Sequence, residues 1–172
     1  MSRLIEFYAG RGGDHRGRTL AEIQGWDDRA LEFTHDYIQW LFPTARRSAF
    51  NPYAPELPAA DIAEFHARED LRANLRASFL RMLAFYGLAL DRDGAKLKIA
   101  RGPNWEDRGP KWLRLGDHNH LRITRILDSL CTLGLKDEAR AFLAALLELA
   151  ESDEGRAALE PVTLDFWRRA EK

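Results

Sequence analysis

Apolar residues recur every three or four positions along most of this chain, and the recurring stretches are separated by breaks rich in Gly and Pro. That is the pattern of helices joined by turns. After a short apolar opening, Arg3 to Tyr8, four glycines fall within Gly10–Gly17, which excludes a helix interior and predicts an ordered turn or loop. Thr19 and Glu22 have capping-box spacing and open a short helix that Gly25 stops. Asp27 or Asp28 then caps a longer helix, predicted over about 28–42 and ended by Pro43. Leu31, Phe33, Tyr37, Ile38, Trp40, Leu41 and Phe42 leave it only a narrow polar strip of Glu32, Asp36 and Gln39. A helix so apolar around its circumference is expected to be buried at the centre of the fold.

Pro52, Pro55 and Pro58 make 44–58 an extended surface connection. Helical periodicity resumes at Ala59 and runs through Phe65, Leu75, Phe79 and Tyr86, with a bend expected near Asp70 where the stripe changes phase. Gly87 is the expected left-handed stop. Only 88–100 alternates with period two, which allows at most one small hairpin. A short helix or pair of turns carrying Trp105 and Trp112 follows. Further helices are predicted from Asp117 to Gly134, over 136–151, and from Pro161 onward. The fold class expected is all-α, a single compact helical domain over 1–172 packed around the 28–42 helix.

Composition narrows the functional classes. A chain of 172 residues buries about 70% of its unfolded surface and needs no staple. Its 26 basic residues against 27 acidic ones exclude a surface given over wholly to phosphate backbones. A lone Cys131 on an apolar helix face excludes a disulfide framework and a thiolate-rich zinc site. No apolar run reaches membrane-spanning length and no signal-peptide core opens the chain, so a soluble, cytoplasmic protein is expected. Of the basic residues most are Arg, through genome base composition or through a need for planar contacts. Residues 101–125 hold the one clearly cationic window (Arg101, Arg108, Lys111, Arg114, Arg122, Arg125), interleaved with two tryptophans. Residues 136–172 carry an acidic excess.

The candidate chemistry is sparse. The glycine loop lacks the GK[ST] of a phosphate cradle; it is a structural turn, or else a ligand loop through Asp14, Arg16 and Arg18. His35 lies on the apolar stripe of the 28–42 helix, either as a core histidine or as a base beside a cleft. His118 and His120 diverge by about 200° on a helix and cannot share a metal there. Arg122 and Arg125 are spaced to face one groove. No serine elbow and no HExxH motif is present, so catalysis is not called for, nor is any cofactor or metal.

The run Leu31 to Pro43, which contains Asp36-Tyr37-Ile38-Gln39-Trp40-Leu41-Phe42-Pro43, resembles the opioid growth factor receptor conserved region. So do Phe7-Tyr8, Asp14 to Arg18, Phe50-Asn51, Ala54 to Leu57, Phe79 to Gly87, Asn104-Trp105 and His118 to Leu130. The resemblance spans about residues 4–135. For vertebrate members it implies binding of the pentapeptide Met-enkephalin, restraint of cell growth, and a perinuclear and nuclear location. The compact Arg-rich chain, without those members' long repeat-bearing tail, looks like a stand-alone bacterial member whose ligand is not an opioid hormone. What the resemblance and the residues together imply is a module that binds a small anionic or peptide ligand. Its candidate lining is Asp14, Arg18, His35, Gln39, Trp40, Asn104, Trp105, His118, His120, Arg122 and Arg125, the arginines pairing with anions and the tryptophans forming a floor. The alternatives are an enzyme with His35 or His118 as base, and a nucleic-acid binder using 101–125.

Overall fold

The computed structural model describes residues 1–172 except Arg47 and Phe50, so Phe50 of the family-like strings lies outside the described residues. Six short and medium helices come first: α1 (Arg3–Tyr8), α2 (Leu20–Gln24), α3 (Asp28–Phe33), α4 (Ile38–Leu41), α5 (Ala59–Ala67) and α6 (Glu69–Tyr86). A hairpin of β1 (Leu88–Asp93) and β2 (Lys96–Arg101) follows. The chain then forms α7 (Trp105–Trp112), α8 (Asn119–Thr132), α9 (Lys136–Ala150), α10 (Asp153–Ala158) and α11 (Pro161–Ala170). The protein is mostly helical, with one antiparallel two-stranded sheet in which Leu88 faces Arg101. "All-α" thus describes the bulk of the chain and omits a real hairpin.

The long helix α6 buries Leu71, Leu75, Phe79, Met82, Leu83 and Tyr86 along one side. It packs on α1, α2, α5, α7 and β1, while α9 lies against β2 and α8, and α11 covers α8. These contacts build one contiguous apolar core, with Trp112, Trp167, Tyr8 and Tyr37 among its largest fully buried side chains. Several predicted caps are in place. Thr19 and Glu22 form the reciprocal capping box, and Asp27 accepts from the Ala30 amide at 2.8 Å.

The central helix expected over 28–42 does not exist as one element. It ends at Phe33, Thr34 is extended (φ −98°, ψ 132°), and α4 restarts only at Ile38. Phe33, counted on the buried stripe, is 73% exposed as a result, and His35 lies at the surface. One donor inside the segment and one outside it accompany the break. The carbonyls that a continuing helix would bond to amides four residues on are instead taken by side chains of Tyr37 and α8. The bend expected near Asp70 is a full break at Arg68, whose extended backbone separates α5 from α6. The short α1 and α10, neither long enough to show a period, are capped by Ser2 and Ser152.

The end of α6 shows how the fold satisfies such carbonyls. Gly87 takes the left-handed conformation (φ 79°). Three donors spaced i, i+4 and i+8 then reach back onto the last three carbonyls. Asn104 donates to Ala84 (2.8 Å), Arg108 to Phe85 (2.7 Å) and the Trp112 indole to Tyr86 (2.8 Å). The approach is close, since a Cβ on Gly87 would sit 3.0 Å from Trp105 Cα and 3.1 Å from Arg108 Cβ. Gly87→Ala therefore combines a disfavoured φ with a clash against backbone. It is expected to lower unfolding stability by about 1–3 kcal/mol in urea titrations, and a loss below about 0.5 kcal/mol would contradict the packing described.

Candidate functional site

The two longest family-like strings meet at α8. Arg122, 6% exposed, spreads its guanidinium under the end of α3. Nη1 donates to Leu31 O (2.9 Å), and Nη2 to Thr34 O (2.9 Å) and more weakly to Glu32 O (3.4 Å), with the ring face of Tyr37 5.5 Å away. One turn on, Arg125 Nη1 donates to Phe42 O (3.1 Å) and Thr44 Oγ1 (3.2 Å), just past the end of α4. The Tyr37 hydroxyl adds a donor to Leu31 O and the Tyr8 hydroxyl one to Leu41 O. Burial pushes the Tyr37 phenol up to about 12, so it stays a donor at any working pH. Arg122 and Arg125, expected to pair with an anion in a groove, are thus directed onto backbone carbonyls.

Other predicted residues scatter. Asn104 and Trp105 belong to the α7 cap on the far end of α6, with Arg101 over the Trp105 ring at 4.7 Å. His120 is buried between Trp112 and Trp167, and its Nε2 meets Trp112 O at 3.1 Å. It is a core histidine, and burial pushes its pKa down against the hydrogen bond to Trp112 O. His35 and His118 do come together at the surface, their rings 5.7 Å apart and edge-on. His118 Nε2 lies 3.4 Å from Glu32, and His35 Nδ1 lies 3.3 Å from Arg122 Nη2. Burial, and then the Arg122 charge, lower the His35 pKa, yet neither imidazole lines the cavities described below. His35 is thus not the core histidine that its place on a helical stripe implied.

The basic window 101–125 is dispersed as well. Arg108 is buried against Phe85, Lys111 pairs with Asp107, and Arg114 donates to Lys111 O. Arg108, Arg122 and Arg125 are thus turned inward, while Arg101, Lys111 and Arg114 remain exposed, so half of the window's basic residues are withdrawn from solvent contact with a phosphate backbone.

The glycine loop folds around Asp14, which is fully buried. Asp14 Oδ1 accepts the amides of Arg16 (2.9 Å) and Arg18 (3.0 Å), and Oδ2 accepts Arg18 Nε (2.7 Å). Asp14 and Arg18 are scaffold, and Arg18 reaches on to Asp36 at 3.0 Å. Asp36 gathers three cationic groups, since Arg16 Nε (2.6 Å) and His15 Nε2 (3.2 Å) also meet it. Burial opposes ionisation of Asp36, but the Arg18 hydrogen bond and the charges of Arg18, Arg16 and His15 hold its carboxyl below the usual range. The loop so tied sets the His15 ring between Trp40 (centroids 6.3 Å apart, 19° between planes) and Tyr53 (5.5 Å, 2°).

A groove opens here, along the proline-rich connection. A cavity of about 390 Å³ is lined by Arg3, Leu4, His15, Trp40, Tyr53 and Pro55 among others, and a neighbouring one of about 550 Å³ by Thr44, Arg46, Asn51 and Leu57 among others. Both share Ala54, Pro55, Glu56 and Pro58 as a wall. Buried Gln39 fixes that wall: its amide donates to His35 O (3.3 Å) and its oxygen accepts from Asn51 Nδ2 (3.1 Å). Of the predicted lining, Trp40 faces the groove and Gln39 supports it. His15, Arg3 and Tyr53 were not singled out from the sequence; the one hint was that His15 and Trp40 each sit in a family-like string.

The profile of the opioid growth factor receptor (OGFr) conserved region matches residues 17–171. The chain belongs to that family. It is 42% identical over 109 residues to opioid growth factor receptor-like protein 1 of Mus musculus, a match covering 63% of this chain and 22% of that protein. To the opioid growth factor receptor of Homo sapiens it is 38% identical over 116 residues, covering 66% and 17%. To that of Rattus norvegicus it is 37% identical over 128 residues, covering 73% and 22%. The match thus spans about a fifth of the length of these relatives. No solved structure matches the chain. In family terms, the LRITRIL string supplies the donors and the DYIQWLFP string and the residues flanking it the carbonyls of one interaction.

Arg122→Ala would leave the Leu31 and Thr34 carbonyls buried without their charged donor, at an expected cost of about 3 kcal/mol in chemical unfolding. Arg122→Lys is expected to restore less than half of that, because an ammonium cannot fork to both oxygens; full recovery with Lys would show that charge alone matters. Protonation of His120 is linked to unfolding. Its folded pKa is lowered, so the unfolded chain takes up the proton first, and the stability from the neutral ring is present above about pH 6.5 and lost as pH falls. The melting temperature should decline between about pH 6.5 and 5, less steeply in His120→Gln.

Proposed function

We propose that this chain is a receptor-like binding module that takes a short peptide in the groove along residues 51–58 and performs no chemistry on it. The names of its relatives describe opioid growth factor receptors, and the receptor role is carried over only as a role of binding. The observation that carries the reading is the 390 Å³ cavity, large enough for one side chain and its peptide unit, with an indole, an imidazole and an exposed phenol along its wall. Tyr53 is 67% exposed yet stacks flat on His15, so it offers its other face to a ligand. Among the described residues no helix is long and apolar enough to cross a membrane. One contiguous core supports treating 1–172 as a single unit.

An arrayed library of short peptides tests this. Peptides retained by the protein should lose about tenfold in affinity with Tyr53→Ala, the order expected for one aromatic contact, and Arg114→Ala, remote from the groove, should change nothing. A library with no retained peptide, or retained peptides indifferent to Tyr53→Ala, would end the groove reading.

A further inference from the structure

Two further cavities share no lining residue with the groove and adjoin each other at His66 and Lys136. The larger, about 500 Å³, lies between the hairpin tip and the start of α9, with Arg92, Leu97, Gly134, Lys136 and the Arg76–Glu138 pair in its lining. The smaller, about 320 Å³, lies between the ends of α8 and α11, with Asp128, Thr132 and Arg169 in its lining.

Three cations in these linings are uncommitted. Arg92, Lys136 and Arg169 are exposed, and among the described residues none of their side chains makes an ion pair or a hydrogen bond. Their neighbours do: Arg76 meets Glu138 at 2.7 Å, Arg140 meets Asp137 at 3.5 Å and Arg168 meets Asp165 at 3.3 Å. The three come from different elements, β1, α9 and α11, so local sequence does not bring them together. The hairpin register sets Arg92 opposite Leu97, and strand alternation puts it on the face of Leu90, which packs against the core. Its guanidinium therefore starts from the inner face of the sheet, toward α9.

The carboxylates in the linings do not compensate these charges. Glu138 and Asp137 have the partners just named. Asp128 forms no ion pair among the described residues; it accepts from Thr132 at 3.4 Å, and burial pushes its carboxyl up, against the charged form. His66 Nε2 is held 3.0 Å from Thr132 O at the junction of the two cavities. A single ligand carboxylate would bring one charge to three cations. Two linked phosphates bring more, and they are long enough to engage cations in both cavities through the shared Lys136.

We infer that Arg92, Lys136 and Arg169 form a binding site for the diphosphate group of a small molecule. The Arg92 guanidinium forks onto one phosphate, Lys136 bridges the two, and Arg169 meets the other. The site is separate from the peptide groove and does not rest on it. It also gives a small anion a different set of cations from the α8 arginines, which face carbonyls.

Pyrophosphate, orthophosphate and sulfate are titrated separately into ¹⁵N-labelled full-length protein at about pH 8, above the ordinary imidazole range, in about 0.15 M salt without divalent metal. The Gly134 and Lys136 amide resonances should move with pyrophosphate, which should bind at least about tenfold more tightly than either single anion. Lys136→Ala should weaken pyrophosphate and orthophosphate alike, whereas Arg169→Ala should remove most of the advantage of pyrophosphate over orthophosphate. Lys98→Ala, which removes an exposed hairpin lysine outside both cavities, should change neither. The replaced side chains hold no contact of the fold, so each variant is expected to keep the wild-type melting temperature. Unmoved Gly134 and Lys136 amides, no preference for pyrophosphate, or an equal loss in Lys98→Ala overturns the inference, the last by showing diffuse surface charge only.

Discussion

A buried guanidinium surrounded by carbonyl oxygens organises this protein. Arg122 faces Leu31, Glu32 and Thr34, and among the described residues no carboxylate pairs with it, so its charge is balanced by the aligned carbonyl dipoles at the end of α3. Because those oxygens are satisfied from outside, α3 can stop after six residues and the chain can turn through Thr34 to Tyr37. That turn brings Asp36 to the glycine loop and lets α4 carry Trp40 toward His15.

The same device recurs at other arginines. Arg3, Arg72, Arg81, Arg108, Arg114 and Arg125 also donate to backbone carbonyls, many of them at helix ends or loops. A planar group with five donors can serve two oxygens at once and keeps its charge under burial, which lysine does less well. In a fold with several helices of six residues or fewer, unsatisfied terminal carbonyls are numerous relative to chain length. Among the described residues, seven of the 21 arginines, Arg122 included, serve backbone carbonyls in this way.

This use of donors also locates the binding surface by contrast. The arginines named above are turned onto carbonyls, whereas His15, Trp40 and Tyr53 line a cavity. The positive window at 101–125, conspicuous in one dimension, has Arg108, Arg122 and Arg125 folded inward and only Arg101, Lys111 and Arg114 exposed. The family match begins at residue 17, so it covers Trp40 and the 51–58 wall of the groove but not Arg3, Leu4 or His15.

The sequence by itself determined the helical class, the hairpin, the Thr19 capping box, the Gly87 stop and the family, because periodicity, capping and left-handed turns are local properties carried by neighbouring residues. It could not determine that the stripe from Leu31 to Phe42 is two helices. The donor that breaks it lies about ninety residues away, and an apolar period reads the same whether or not the backbone bonds continue through it. For the same reason Arg122 and Arg125 looked like ligand contacts, and His15 and Tyr53, adjacent only across a folded loop, did not look like anything. Tertiary structure decided which polar groups were spent on the chain's own carbonyls, and it alone brought the rings of His15, Trp40 and Tyr53 together at the candidate site.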